Sequence, residues 1–541
     1  MDSKPSSLSV ISPELVIQIL HYCEYPSILT FSATCKAYYE LVTKSTSLQL
    51  HIELEANGLE LVKGSFQRGA TYSAILKDLR RFRDAWLDLD LTEPAERLSQ
   101  DHPPLTFDFT FNEFTADPGQ ELLAILSRDT ERDAYVHVHL CSSATGLAHP
   151  LARYPRLTAE FDFNPPYFWP GFSIDVMGHI VLSKVSHPQD HIYELLIWDW
   201  RSGVLLHRIS SRGGICDFTF LDQRHLVVLS GSRSGQERLD TLELLIYALS
   251  NDALTHLPFY NGGQLRVVDF PISQPILSLE FPRIKESSKI SETGFFLRSD
   301  PTPGCAIYVD SAAFACSYAV TLGMTFHFHE AFDNWESPPY YRALLDGRFL
   351  LDQIRENPGN ETKVLPWSSW GTCATRWFIA PDEPDHWIAW MSGSRFITPV
   401  LNRPYYCIFD FSPPTVRRFR DRFGQLYPDA LDHLVDNSDL AMADGFHDLE
   451  RLGRDISYFC ETSPSAHEFF AITVGDDNPS VIETDEYFGF EERIISRLPY
   501  RLVFKTNNRI NHEGWQLIGD YIVGISSREA SEVLTVYKLK K

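Results

Sequence analysis

The chain has 541 residues and carries 48 Lys and Arg against 72 Asp and Glu, a net charge of −24 at pH 7; that deficit argues against a nucleic-acid partner, because phosphate contacts need a basic face. Apolar residues at 44% and charged residues at 22% suffice for a sizeable core and exclude a disordered chain, while 13% aromatics, 33 Pro and 29 Gly point to many short strands and turns. Domains commonly take ~100–200 residues, so the length implies several domains or one large repeat architecture.

The nine cysteines are never closer than 11 residues, so no CxxC pair is present for zinc or redox chemistry, and reduced thiols in the cytoplasm or nucleus are expected. The first ten residues are polar with one Lys, which gives no secretory signal. The longest run free of Asp, Glu, Lys, Arg and His, Ser311 to Phe326, is 16 residues. A membrane span needs ~20 predominantly apolar residues, so no membrane partner is expected.

The chain opens with a helix start. Ser12 stands at the N-cap, Pro13 at the first helical position and Glu14 on the positive helix end. Ile11 and Val16 hold the staple positions, and Leu15, Ile19, Leu20 and Cys23 continue an apolar stripe. Pro26 and Ser27 restart the chain; Ile28, Leu29 and Phe31 supply a second face, and Ala37, Tyr38, Leu41 and Val42 a third. Three short helices in so few residues bury little core alone, so a partner surface is expected.

These residues resemble an F-box. The run Ile11-Ser12-Pro13-Glu14-Leu15, then Ile19-Leu20-His21-Tyr22, then Ile28-Leu29, then Cys35-Lys36-Ala37-Tyr38 matches that motif's apolar-Pro-Glu-Leu opening, its Ile-Leu-x-Tyr and its Cys-Lys-x-aromatic. The likeness covers roughly residues 8–45. It departs in placing Pro one position late, Cys23 at a usual Leu and Tyr38 at a usual Trp. What the resemblance implies is docking to the Skp-type adaptor of a cullin-RING ubiquitin ligase, with Ile11, Pro13, Leu15, Ile19, Leu20, Leu29, Cys35 and Tyr38 as contacts. The head is bounded at residues 1–48.

Residues 49–104 read as a helical spacer, with Leu54, Ile75, Leu79, Phe82 and Trp86 on helical spacing and Lys77 to Asp84 as a solvated charged face. Pro94, Pro103 and Pro104 end it.

From Leu105 the pattern changes to strands, and it repeats. Ile197 to His207 lies on Ile246 to His256 without a gap, forty-nine residues later; His179 to Ser183 matches His225 to Ser230, Asp520 to Gly524 echoes it, and Ile408 to Phe411 gives a further copy. Strand units at this period indicate a β-propeller, and the 437 residues from 105 to 541 allow about seven blades at ~60 residues each. Ring closure should pair Leu105 to Phe111 with Val533 to Leu539. Ile197-Trp198-Asp199-Trp200 resembles the end of a WD repeat, and Pro366 to Gly371 with Thr375-Arg376 resembles a segment of fungal F-box proteins that carry a degenerate WD-like propeller.

No catalytic motif stands out. His137/His139 and His327/His329 each put two imidazoles on one strand face, but nothing ties a third ligand to either pair, so no metal or cofactor is assigned. Large aromatics in loops, with Arg376, are the expected substrate anchors: Trp169, Trp335, Trp367, Trp370 and Arg376. The reading is a mainly β chain with an all-α head, acting without catalysis of its own as the substrate receptor of an SCF ligase for an unknown protein substrate. The alternatives are a propeller scaffold whose head merely caps the fold, and a propeller enzyme, which would need a carboxylate pair or a metal at the central channel.

Overall fold

A computed structural model describes residues 11–541 except 90, 99–104, 167–170, 234–238, 250–263, 291–294, 331–339, 358, 360, 381–389, 400–405, 421–448, 450–468, 484–488, 506–511, 513, 529–530 and 541. The chain is mainly β, in many small antiparallel sheets, with helices gathered at its N-terminus.

Four helices open it: α1 (Pro13–Leu20), α2 (Tyr25–Ala33), α3 (Lys36–Lys44) and α4 (Thr46–Ala56). The first three bury Val16, Leu20, Ile28 and Val42 together with Leu48 of α4. The fourth crosses the boundary expected at residue 48, and its sequence explains why. Leu48 and Ile52 lie one turn apart and pack into the head, while Leu50 and Leu54, also one turn apart, pack on the β body. An apolar residue at every second position therefore gives one helix two buried faces.

The stretch expected as a spacer is built into the body. Helix α5 (Tyr72–Asp88) starts at Thr71, whose side chain accepts from the Ala74 amide at 3.2 Å, and buries Ile75, Leu79, Phe82 and Trp86 along one stripe. Two short strands flank it. Leu59–Leu61 joins Ala313–Cys316 and Ala306–Tyr308 in a three-stranded sheet, and Ala95–Leu98 pairs with Ser531–Lys538. The expected pairing of Leu105 to Phe111 with the last strand is thus replaced: Ala95 to Leu98 takes that place. Phe107 and Phe109 instead cover Leu123, Ile125 and Cys141, because alternate aromatics give that segment one apolar face.

Among the described residues six sheets carry four or more strands, where seven units were expected. The first four strands of the first lie at Glu113–Asp117, Leu122–Arg128, Tyr135–Ser142 and Arg156–Glu160; the second holds Phe172–Met177, Ile180–His187, Ile192–Asp199 and Val204–Ser211. The third runs through Ile215–Asp222, His225–Arg233, Leu239–Ala248 and Leu277–Glu280, and the fourth is built on Thr321–Glu330, Tyr340–Asp346 and Thr375–Ala380. The fifth draws its strands from as far apart as Met391–Ser392 and Tyr500–Lys505. Gly514–Ile518, Tyr521–Arg528 and Ser531–Lys538 form the sixth with Ala95–Leu98.

Successive sheets pack face to face. In the strand Ile180–His187, Val181 and Val185 face the first sheet, whereas Ile180 and Leu182 face the third; Leu196 and Trp198 against Leu195 and Ile197 divide the same way in the next strand. With both faces buried, a strand reads as an unbroken apolar run, as Leu195-Leu196-Ile197-Trp198 does. Val227, Leu244, Phe326 and Trp377 join the third sheet to the fourth, and Phe378, Phe409, Leu502 and Trp515 carry the core through the fifth into the sixth. The sequence repeats mark equivalent places: Ile180–His187, His225–Arg233 and Tyr521–Arg528 are each the second strand of their sheet.

Three further helices sit on the sheets: α6 (Gly347–Arg355), α7 (Trp367–Ala374) and α8 (Pro413–Arg420). Gly347 opens α6 where a Cβ would lie 1.8 Å from the Ala319 carbonyl oxygen, so only glycine lets the helix press against that backbone.

Candidate functional site

The head leaves an apolar row uncovered. Helix α1 turns Val16 and Leu20 into the core, which points Leu15 and Ile19, one turn apart, to the outside at 52% and 51% exposure. Tyr22, just past its end, is 94% exposed, and Leu29 of α2 and Tyr39 of α3 are exposed too. Of the expected adaptor contacts, Pro13, Leu15, Ile19, Leu29 and Cys35 lie on the surface, and Ile11 and Tyr38 are half-buried. Leu20 is a correction: at 5% exposure it belongs to the head's own core. Tyr22 and Tyr39 were not among the expected contacts, although Tyr22 stands seven residues after Leu15, in phase with the outer stripe. Phe31 and Tyr38 stack at 4.2 Å and fix α2 against α3.

The head is held on the body at a second place besides α4. The Glu24 carboxylate accepts from Arg348 at 3.0 Å and from Arg355, both on α6. Glu55 accepts from the Tyr25 amide at 2.6 Å and lies 3.6 Å from Arg348, whose guanidinium sits 5.0 Å from the Tyr25 ring centroid. Each exposed ion pair alone contributes about 0–1 kcal/mol; their convergence on one half-buried arginine fixes the orientation of α2. On the other side, Arg80 and Arg83 of α5 donate to Glu53 of α4 at 3.0 and 2.7 Å. The charged face expected to be solvated is therefore partly used to clamp α4.

The expected substrate anchors divide differently. Trp169 and Trp335 lie outside the described residues. Trp367 is half-buried, its ring 5.8 Å from Phe281 and 5.0 Å from Trp370. Trp370 and Arg376 are fully buried, which corrects their assignment as surface contacts. The Trp370 indole donates to the Glu280 carbonyl at 3.1 Å. Arg376 donates to the carbonyls of Leu498, Asn478 and Gly475 at 2.8, 2.8 and 3.2 Å and to the Ser480 hydroxyl at 3.1 Å, with its guanidinium 5.2 Å from the Tyr500 ring centroid. Its donors are spent inside the protein.

A third group of residues had no signal in the sequence. The first strands of the second and third sheets carry Asp175 and Asp217, and Asp300 follows Phe296–Arg298 of the fourth. Burial raises all three carboxyls, that of Asp175 to about 7, with Asp300 and Asp217 adding repulsion to it and Arg298 opposing. Asp217 is the best satisfied, accepting from the amides of Phe218 at 2.9 Å and Leu297 at 2.8 Å; Asp175 accepts from Val176 at 2.8 Å.

A carboxyl whose folded pKa is raised holds its proton more tightly in the folded state. Its penalty is absent below the unfolded value, about 4, grows between there and about 7, and is constant above. Asp175→Asn keeps the oxygen that accepts from Val176 and removes the charge. Its melting temperature should exceed that of the parent by more at pH 8 than at pH 5; an equal difference at both would show that Asp175 is not held protonated.

Among the described residues no group of three His, Cys, Asp or Glu could hold a metal ion, and no helix is long and apolar enough to cross a membrane. His137 is hydrogen-bonded to Asp129 and Thr158, both at 3.0 Å, and His139 to Ser127 at 2.9 Å. No protein-family model matches the chain, and no curated protein matches it in sequence.

Proposed function

We propose that the protein is the substrate receptor of an SCF-type ubiquitin ligase. In this reading the head is an F-box that docks a Skp-type adaptor through Leu15, Ile19, Leu29 and their neighbours. The six sheets close into a propeller whose last blade is completed by Ala95–Leu98, and this body binds the protein substrate. Cullin and RING subunits carry out the covalent chemistry, so the chain itself is not an enzyme, and its setting is the cytoplasm or nucleus. The observation that carries the proposal is the exposed row Leu15, Ile19 and Tyr22 on a helix whose opposite face is fully packed. Exposed apolar side chains on adjoining helices are the kind of surface that a partner covers. The clamped junction adds support, because a receptor must hold its substrate at a fixed place relative to the ligase. The body's partner is expected to be basic, given the net charge of −24.

One observation favours the second reading, in which the head is only a cap: α4 shares its two faces between head and body. Size-exclusion chromatography of the full chain with a purified Skp-type adaptor and a cullin–RING pair separates the two. Co-elution of all components supports the receptor; a chain that elutes alone at micromolar concentration leaves the cap.

A further inference from the structure

Two cysteines eleven residues apart in sequence face each other in the structure. The hairpin of Ala306–Tyr308 and Ala313–Cys316 is in the register Ala306↔Ala315. Just beyond the last regular pair, the Cys316 amide donates to the Cys305 carbonyl at 3.1 Å, which sets Cys305 opposite Cys316. Directly paired residues of antiparallel strands carry their side chains on the same face, with Cα atoms ~5.5 Å apart at a hydrogen-bonded pair. A disulfide spans Cα separations of ~4.4–6.8 Å. Both thiols are free; Cys305 is exposed and Cys316 is 6% exposed.

We propose that Cys305 and Cys316 are a reversible thiol–disulfide site that closes under hydrogen peroxide. Cys305 is the entry point because solvent reaches it. Its thiolate attacks one peroxide oxygen, the O–O bond breaks, and the released hydroxide leaves as water, giving a sulfenic acid. The Cys316 sulfur then attacks the Cys305 sulfur and expels its hydroxyl group, which takes the Cys316 proton and leaves as a second water. One peroxide is reduced to two waters, and two thiols are oxidised to one disulfide.

Closure needs the two Cβ atoms to draw in by about 1.5 Å, since a hydrogen-bonded pair holds them near 5.5 Å and a disulfide nearer 4 Å. The ladder yields at that point. The Cys316 carbonyl accepts from Gly304 at 2.7 Å in place of Cys305, whose amide donates to Thr302 at 3.0 Å, so Cys305 sits at an irregular strand end. Cys316 also borders a cavity of ≈ 60 Å³ between α5 and the sheets, lined with it by Leu79, Phe82, Tyr318 and Ser412. A bond closed against such a preference is more readily reduced, which suits a switch and not a permanent crosslink. Cys316 packs with Leu54, Leu59 and Leu79 beneath α4 and α5, so the redox change occurs in the seat of the head. Burial raises both thiols, Cys316 to about 12 with Cys305 adding to the shift, so closure is slow at neutral pH and faster as pH rises.

The test treats the full-length chain with hydrogen peroxide at pH 7 and pH 9, then measures intact mass and maps peptides without reduction. The proposal expects loss of two hydrogens, a Cys305–Cys316 crosslinked peptide that forms several-fold faster at pH 9, and recovery of both thiols with reduced glutathione. Cys305→Ser and Cys316→Ser should each abolish that peptide, and Cys305→Ser, being at an exposed position, should do so in a normally folded chain. Sulfinic or sulfonic acid at Cys305 without the crosslink, or an intermolecular dimer through Cys305, overturns it.

Discussion

Replacing Leu15 and Ile19 together by Asp is expected to weaken binding of a Skp-type adaptor at least a thousandfold while leaving the melting of the body unchanged. Both side chains are about half exposed, so the fold does not depend on them. In a complex they would be covered. Full burial of a Leu or Ile is worth ~1.5–3 kcal/mol, roughly half of which is already realised here, and two carboxylates forced under a partner add a desolvation penalty of several kcal/mol. A loss of about 4 kcal/mol corresponds to a factor of about a thousand in affinity. Leu20 is no part of this test, because changing it would unpack Val16, Ile28 and Val42 and confuse folding with binding. An isotherm for the double variant that overlays the parent's would remove the α1 face from the account.

Arg376→Ala is expected to be the most destabilising substitution on the sheets. It strips the donors from the carbonyls of Leu498, Asn478 and Gly475 and from the Ser480 hydroxyl, and of these residues Leu498, Gly475 and Ser480 are buried. Each buried polar group left without a partner costs ~1–3 kcal/mol, so a loss of about 4 kcal/mol is a conservative sum, set against total stabilities of ~5–15 kcal/mol. Arg376→Lys keeps the charge, yet an ammonium cannot reach acceptors spread over a planar fork, and an intermediate loss is expected. Urea unfolding followed by tryptophan fluorescence reads both. A midpoint for Arg376→Ala within experimental error of the parent's would mean that the arginine does not brace the junction of the fourth sheet with residues 475–498.

Local patterns carried much of this structure in the sequence. Ser12-Pro13-Glu14 places the start of α1 because an extended Ser12 followed by proline at the first helical position acts within one turn, and the head's core at Val16, Ile28 and Val42 follows from helical spacing. The repeated strand segments mark second strands because each sheet meets the same environment on both faces. The partner of a strand is a different matter. Ala95–Leu98 pairs with a strand more than four hundred residues away, and nothing local distinguishes it from Leu105 to Phe111, which has the stronger alternation. Trp370 and Arg376 illustrate the same limit at the level of function. An aromatic beside an arginine looks like an interface anchor in sequence, but these two face inward because Pro366 starts a helix that turns Trp370 under the third sheet. Asp175, Asp217 and Asp300 meet only through the stacking of three sheets, so their spacing in the chain holds no sign of it.

Whether the head's outer face is a docking surface is tested most directly by amide hydrogen exchange of the full-length chain with and without a saturating purified Skp-type adaptor. The expected result is slower exchange over Pro13–Leu20, Tyr25–Ala33 and Lys36–Lys44, with the sheets unaffected. Unchanged exchange in those helices at saturating adaptor, or protection confined to the sheets, would contradict it.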